Sequence, residues 1–132
     1  MALMAAAFAN GGVVMKPYLV QQVITPGGTV IQDTRPTKWL TATTPTMAAK
    51  IDSFMEDVVT KGTGRAAQVS GVRVTGKTGT AENAAGEDHA WFIGSAELRN
   101  RRIVFAIIVE NGGSGGTQAA PIARKVILSL QH

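Results

Sequence analysis

The chain has 132 residues, of which 45% are hydrophobic and 17% are charged, and its net charge is +4. This composition predicts one folded domain and excludes a disordered tail, because a chain of this length buries about 65–70% of its unfolded surface. The sequence has no cysteine, which excludes disulfide bonds and thiolate metal sites, and its other candidate metal ligands have no recognisable spacing.

The N-terminal segment MALMAAAFANGG predicts the end of a helix. It is not a secretory signal, because Lys16 follows the apolar run instead of preceding it, and the run is too short to span a membrane. Asn10, Gly11 and Gly12 supply the left-handed residue on which helices commonly end, and Pro17 prevents the helix from resuming. We expect this helix to begin outside the chain.

Two short β-branched runs, residues 18–24 and 29–33, flank a Pro-Gly-Gly loop and predict a β-hairpin. A helix is predicted next, since Thr44 and Pro45 have the form of an N-cap and a first helical position. Its apolar residues recur at spacings of three and four, namely Met47, Ile51, Phe54, Met55, Val58 and Val59. The helix is expected to end near Lys61.

The second half of the chain predicts a sheet. Residues 72–82, 90–97 and 103–110 are rich in β-branched, aromatic and small apolar residues, which favours three successive antiparallel strands. Residues 99–102, RNRR, separate the last two strands, and we interpret them as a solvated hairpin tip. No nucleic-acid partner is expected, because the aromatic residues that stack on bases are missing.

The C-terminal region predicts a flexible glycine-rich linker, residues 112–118, and then a final helix with Pro121 in its first turn. The predicted order is helix, hairpin, helix, three strands and helix. Residues 1–132 are therefore expected to form an α/β structure of the α+β type, in which helices flank an antiparallel sheet.

The segment GVRVTGKT, residues 71–78, matches the formula of a nucleotide phosphate loop. Such a loop requires a buried strand before its first glycine and a helix that begins at its lysine. The residues before Gly71 are few and polar, and the β-branched residues between the glycines favour extended backbone. No apolar periodicity follows Thr78, so a P-loop nucleotide-binding protein is only a remote alternative.

If residues 72–82 form a strand, Thr78 and Thr80 face one side of it while Lys77 and Gly79 face the other. Two hydroxyls on one side can clamp a carboxylate, and the lysine adds a positive charge nearby. At the edge of a sheet the strand can pair with an extended peptide, and one of its N–H groups can stabilise an oxyanion. The pattern indicates recognition of a peptide that ends in a carboxylate.

The segment GKTGTAE resembles the third motif of the penicillin-binding protein and serine β-lactamase superfamily. Further segments are similar to class B penicillin-binding proteins in the same order along the chain: MALMAAAFANGGVVMKPYLV, VVTKGTGRAA, HAWFIGSA, AIIVENGG and AAPIARKVI. The resemblance covers essentially the whole chain. It implies the transpeptidase fold and a D,D-transpeptidase that cross-links peptidoglycan stem peptides through a serine acyl-enzyme and binds β-lactams.

The resemblance also implies roles for individual residues. Lys77 would interact with the central serine motif of the family and support proton movement, while Thr78 and Thr80 would bind the carboxylate of a stem peptide or a β-lactam. The N–H of Thr80 would form half of the oxyanion hole. Lys77 and Thr80 are thus the expected catalytic residues, Thr78, Gly79 and Thr80 bind substrate, and residues 83–88 are expected at the rim. No cofactor or metal is implied.

Two motifs of the family are absent from the sequence, since no serine is followed three residues later by lysine and no S-x-N occurs. Both lie N-terminal to this region in the family, so we expect residues 1–132 to be the C-terminal portion of a transpeptidase domain that is inactive alone. The parent protein is expected to be anchored at the extracytoplasmic face of a bacterial cell membrane and to act in cell-wall synthesis and cell shape.

Without the N-terminal part, exposed apolar surface is expected to favour self-association. A non-catalytic peptide-binding or cell-wall-binding module is the alternative function.

Overall fold

The structure is a computed structural model that describes residues 1–84 and 86–131. In chain order its elements are α1 (Ala2–Ala9), β1 (Val13–Met15), β2 (Gln22–Ile24), β3 (Val30–Asp33), β4 (Lys38–Thr41), α2 (Pro45–Thr60), a 3₁₀ turn (Arg65–Ala67), β5 (Val74–Ala81), β6 (His89–Leu98), β7 (Arg101–Val109), a π-helical turn (Gly115–Ala119) and α3 (Ala120–Ser129). Three antiparallel sheets are described, with strand orders β1–β4, β2–β3 and β5–β6–β7. The mixed α/β architecture with an antiparallel sheet and flanking helices confirms the predicted class.

The three-stranded sheet carries the core on one face. Phe92 and Ala96 on β6 are fully buried, and the Phe92 ring stacks on Phe105 of β7 with the centroids 5.8 Å apart. Ile127 of α3 and Val59 of α2 cover this face and belong to the same apolar cluster. The alternation of side chains along the strands sets which residues reach the core.

Helix α2 begins and ends where the sequence predicts. The Oγ1 of Thr44 accepts a hydrogen bond from the backbone N–H of Met47 at 3.3 Å, and Pro45 occupies the first helical position. At the other end, Lys61 is the C-cap, and the N–H of Gly62 donates to the carbonyl of Asp57 at 3.0 Å. The N-cap and the C-terminal glycine each bond to backbone groups only a few residues away, so the sequence pattern is sufficient to predict the bounds of this helix.

An arginine just before β5 joins α2 to the sheet. The Arg73 guanidinium donates to Asp52 at 2.9 Å, to Glu56 at 2.8 Å and to Glu97 of β6 at 3.2 Å. Burial alone would lower the pKa of Arg73, but hydrogen bonds to the carboxylates of Asp52 and Glu56 raise it above its ordinary value. Because Asp52 is buried, this cation neutralises a charge that would otherwise be costly to bury.

Helix α1 contacts β6 and β7 on the face opposite the Phe92 cluster. Ala5 and Ala7 are buried there, and the guanidinium of Arg102, which alternates away from the core, donates to the carbonyl of Ala9 at the end of α1. Gly11 and Gly12 both have positive φ, at 61° and 88°, and so end the helix as predicted. None of the helices in the described residues is both long and apolar enough to cross a membrane.

The structure differs from the sequence prediction in three places. Of the hairpin tip predicted at residues 99–102, only Arg99 and Asn100 form the turn, because Arg101 and Arg102 begin β7. Strands β1 and β4 pair in a small sheet that the sequence did not predict. The flexible linker predicted at residues 112–118 is wrong, because Gly115–Ala119 forms a π-helical turn in which both end residues are buried. The predicted hairpin is confirmed in a shorter form, as β2 and β3.

Candidate active site on strand β5

The Lys-Thr-Gly-Thr segment lies in an extended strand. β5 pairs with β6 residue by residue, from Val74 opposite Ala96 to Ala81 opposite His89. In the part of the chain that the structure describes, β6 is the only strand paired with β5, so the other edge of β5 has no strand neighbour. A phosphate loop requires a curled backbone and a helix that begins at Lys77, and this extended conformation excludes it.

The hydroxyl of Thr78 is held by a second threonine. Its Oγ1 lies 2.6 Å from the Oγ1 of Thr63, and either oxygen can be the donor. Thr63 belongs to the short glycine-rich loop that follows α2. Thr78 shares its face of β5 with Thr80, since the two alternate with Gly79. Thr78 is half-buried, whereas Thr63 and Thr80 are exposed.

Lys77 is exposed, and its side chain starts on the opposite face of β5 from the two threonines. Its ammonium nonetheless reaches back to the strand, where Nζ donates to the backbone carbonyl of Thr78 at 2.6 Å. The positive charge therefore lies against the backbone of the residue whose hydroxyl bonds to Thr63.

The π-helical turn packs on the backbone of β5. A Cβ at Gly115 would lie 2.6 Å from the carbonyl oxygen of Gly79 and 2.1 Å from that of Trp91. A Cβ at Gly116 would lie 2.6 Å from the carbonyl oxygen of Thr63. Only residues without a side chain allow this approach, so the two glycines hold the turn, β5 and the Thr63 loop together.

The loops at the same end of the sheet are tied to each other. The backbone N–H of Asn111 donates to Nδ1 of His89 at 3.0 Å, and the N–H of Gly113 donates to the carbonyl of Asp88 at 2.8 Å. The Asn83 amide donates to Oδ1 of Asn111 at 2.6 Å. The rim predicted at residues 83–88 therefore lies beside the end of β5, except that Ala85 is outside the described residues.

Sequence reasoning placed the four motif residues on one strand but did not identify the residues that support them. Thr63, Gly115 and Gly116 come from two glycine-rich segments that flank α2 and α3. The glycines at positions 62 and 64 are typical of a loop, yet no local pattern indicates which strand this loop contacts. Within residues 1–84 and 86–131, no group of three or more His, Cys, Asp or Glu side chains is arranged to hold a metal ion.

Comparison with known proteins agrees with this geometry. The family model described as the penicillin binding protein transpeptidase domain matches residues 1–128. The peptidoglycan D,D-transpeptidase PbpA of Mycolicibacterium smegmatis is 37% identical over 139 residues, which cover 96% of this chain and 27% of that protein. The peptidoglycan D,D-transpeptidase MrdA of Haemophilus influenzae is 36% identical and covers 89% of this chain and 21% of that protein.

Solved structures of similar fold include the D,D-transpeptidase domain of a peptidoglycan glycosyltransferase from Eggerthella lenta. It superposes with a TM-score of 0.86 at 39% identity, over 98% of this chain and 31% of that one. Penicillin-binding protein A from M. tuberculosis, solved as an imipenem acyl-enzyme complex, gives a TM-score of 0.85 at 36% identity over 99% of this chain and 30% of that one.

The chain thus spans between a fifth and a third of the length of these relatives. It has the fold of the serine β-lactamase and penicillin-binding protein superfamily, with the Lys-Thr-Gly-Thr strand at the edge of its described sheet. The match along residues 1–128 and the relatives of more than 30% identity show that the chain belongs to the penicillin-binding protein transpeptidase family.

Proposed function

We propose that this chain is the C-terminal part of a peptidoglycan D,D-transpeptidase domain and that β5 forms one wall of its active site. The observation that carries the proposal is the extended Lys-Thr-Gly-Thr strand, whose outer edge has no strand neighbour in the described residues and whose two threonines lie on one face. Relatives named D,D-transpeptidases match nearly the whole chain, although the chain spans only 27% of PbpA. The serine nucleophile is then supplied by a preceding part of the same protein.

In the proposed reaction, that serine attacks the carbonyl carbon between the two D-alanines of a stem peptide. The serine oxygen–carbon bond forms, the carbon–nitrogen bond breaks, and the terminal D-alanine leaves with a proton. The amine of a neighbouring stem peptide then attacks the ester, which forms the cross-link and releases the serine. Both steps pass through an oxyanion, and the N–H of Thr80 stabilises it.

The other residues of β5 bind the substrate and move protons. The hydroxyls of Thr78 and Thr80 donate to the carboxylate of the terminal D-alanine, and Gly79 places no side chain between them. Lys77 places an ammonium beside this carboxylate and supports proton transfer at the serine motif. A β-lactam has the same reactive carbonyl and carboxylate, so it binds the same groups.

The full protein is proposed to act at the extracytoplasmic face of a bacterial cell membrane, where its substrate lies, and to be anchored there by another segment. Its partners are peptidoglycan stem peptides, β-lactams and the N-terminal part of the domain. Support for this location comes from the relatives, which are named for peptidoglycan transpeptidation.

Penicillin acylation followed by mass spectrometry tests the proposal. We expect no covalent adduct on the 132-residue chain, and one adduct per molecule on the longer protein that includes S-x-x-K and S-x-N. In the longer protein, Lys77→Ala should slow acylation by about 100-fold or more, the range of a lost general acid–base group. Lys61→Ala removes a lysine that pairs with Asp57 on the surface of α2, and it serves as the matched control. A stoichiometric adduct on the 132-residue chain would contradict the proposal.

The edge of β5 that has no strand neighbour in the described residues also favours a second candidate, a non-catalytic module that binds peptides or the cell wall. This candidate predicts a reading frame that does not continue upstream into S-x-x-K and S-x-N, and saturable binding of N-acetyl-D-alanyl-D-alanine to the chain alone. A frame that contains both serine motifs, together with acylation of the protein, excludes it.

A further inference from the structure

We propose that Thr63 is a positioning residue for Thr78: its hydroxyl donates to Oγ1 of Thr78 and thereby directs the Thr78 proton to the carboxylate of the substrate. The inference rests on the proposed function, because it assumes that Thr78 contacts a carboxylate. It adds a residue outside the Lys-Thr-Gly-Thr motif to the recognition of that group.

The argument starts from the hydrogen-bonding capacity of the two hydroxyls. Each has one proton to donate and two lone pairs that accept. At a separation of 2.6 Å, one of them donates to the other, and the distance alone does not say which. If Thr78 donates to Thr63, its proton is used and its lone pairs face the ligand. If Thr63 donates to Thr78, the proton of Thr78 remains for the ligand.

An ionised carboxylate selects between these two arrangements, because it accepts hydrogen bonds and donates none. If Thr78 donates to Thr63, the lone pairs of Thr78 repel the carboxylate. If Thr63 donates to Thr78, the proton of Thr78 forms a hydrogen bond with the carboxylate. The resulting chain runs from the Thr63 hydroxyl to the Thr78 hydroxyl to the carboxylate, and each bond polarises the next. Thr63 therefore strengthens the bond that Thr78 makes without contacting the substrate.

Both hydroxyls are held in place by their surroundings. The backbone N–H groups of Gly62 and Gly64, on either side of Thr63, donate to carbonyls in the last turn of α2 at 3.0 and 2.9 Å. Gly116 approaches from the other side, since a Cβ there would lie 2.6 Å from the carbonyl oxygen of Thr63 and 3.8 Å from the Thr78 methyl. The pair is thus preorganised on packed backbone and not on a mobile loop.

Acylation kinetics of the longer transpeptidase test the inference, with penicillin G as the probe that carries a carboxylate. Thr63→Val keeps the shape of the side chain and removes the donor, and we expect it to lower the second-order acylation rate constant by about fivefold to tenfold, the worth of one hydrogen bond. Thr63→Ser keeps the hydroxyl and should retain most of the rate. Thr78→Val should lower the rate by at least as much as Thr63→Val.

The double variant separates positioning from a merely structural effect. If Thr63 acts through Thr78, Thr63→Val should cause no further loss in the Thr78→Val background. The methyl ester of penicillin G lacks the anion, so its slower acylation should not change with Thr63→Val. An unchanged rate in Thr63→Val, an equal loss in Thr63→Ser, or a full additional loss in the double variant would each overturn the inference. Unchanged acylation in both Thr78→Val and Lys77→Ala would instead overturn the proposed function.

Discussion

Gly115 lies directly against the backbone of Gly79, with room for a hydrogen but not for a methyl group. A Cβ at Gly115 would come within 2.6 Å of the Gly79 carbonyl oxygen and 3.1 Å of its nitrogen. The π-helical turn and the motif strand therefore touch backbone to backbone. This contact holds Gly116 beside Thr63, and so links the start of α3 to the hydroxyl pair of Thr63 and Thr78.

Gly115→Ala should separate the turn from the strand. We expect it to lower the free energy of unfolding of the chain by about 1–3 kcal/mol, since the added methyl overlaps backbone atoms that cannot rotate away. In the proposed longer transpeptidase it should also slow penicillin acylation. Urea unfolding at one low protein concentration measures the first effect. Gly27→Ala is the matched control, because its nearest neighbour, the Thr25 hydroxyl, is 3.9 Å away. Equal stability of the two variants would contradict the close packing of Gly115 on the Gly79 backbone.

Phe92→Ala should be among the most destabilising single substitutions. The side chain is fully buried and stacks on Phe105, so its loss leaves a cavity in the centre of the sheet. We expect the free energy of unfolding to fall by about 3–5 kcal/mol, the range for a buried phenylalanine. Phe54→Ala is the control, since Phe54 is 58% exposed on α2, and it should cost less than about 1 kcal/mol. Similar losses in the two variants would show that Phe92 is not in the core.

Arg73→Met should destabilise the junction between α2 and the sheet. It leaves the carboxylate of Asp52, which is 7% exposed, without its cation, and removing one partner of a buried ion pair costs about 3–5 kcal/mol. The pKa of Arg73 is raised, so its charge and its contribution to stability persist throughout the neutral range, where the measurement is made.

Urea unfolding at pH 7 checks this value. Arg35→Met breaks the ion pair with Asp33, in which the arginine side chain is 84% exposed, and should change stability by less than about 1 kcal/mol. An Arg73→Met variant as stable as Arg35→Met would show that the Arg73 cluster is not a stabilising connection.

The isolated chain should self-associate. Large apolar side chains are exposed on the two small sheets and in the segment before β2. Leu19 in that segment is 103% exposed, Ile31 on β3 is 68% exposed and Trp39 on β4 is 57% exposed. Exposed apolar surface of this kind favours association in water. Light scattering after size exclusion should show a mass that rises with concentration, and Trp39→Lys should reduce it. A monodisperse monomer that unfolds cooperatively would contradict this prediction.

Local sequence patterns were sufficient for most of the helices and strands. Thr44 and Gly62 act on backbone groups within a few residues, so the bounds of α2 followed from the sequence. β-branched residues before Lys77 favour extended backbone wherever they lie, which predicted β5 and argued against a phosphate loop. The family resemblance rested on short segments that occur in the same order along the chain as in the family, so it was found without the structure. The roles that it implies for Lys77, Thr78, Gly79 and Thr80 stay predictions.

The tertiary structure alone decided which distant segments meet. Val13 pairs with Thr41, and the hydroxyls of Thr63 and Thr78, 15 positions apart, share a hydrogen bond. Residues 112–118 read as a flexible linker because glycines permit many conformations, yet Gly115 is buried once Gly79 and the carbonyl of Trp91 occupy the space around it. The conformational range of a glycine is a local property of the sequence. Its restriction depends on the backbone that packs against it, and the packing of α2 and α3 on the sheet determines which backbone that is.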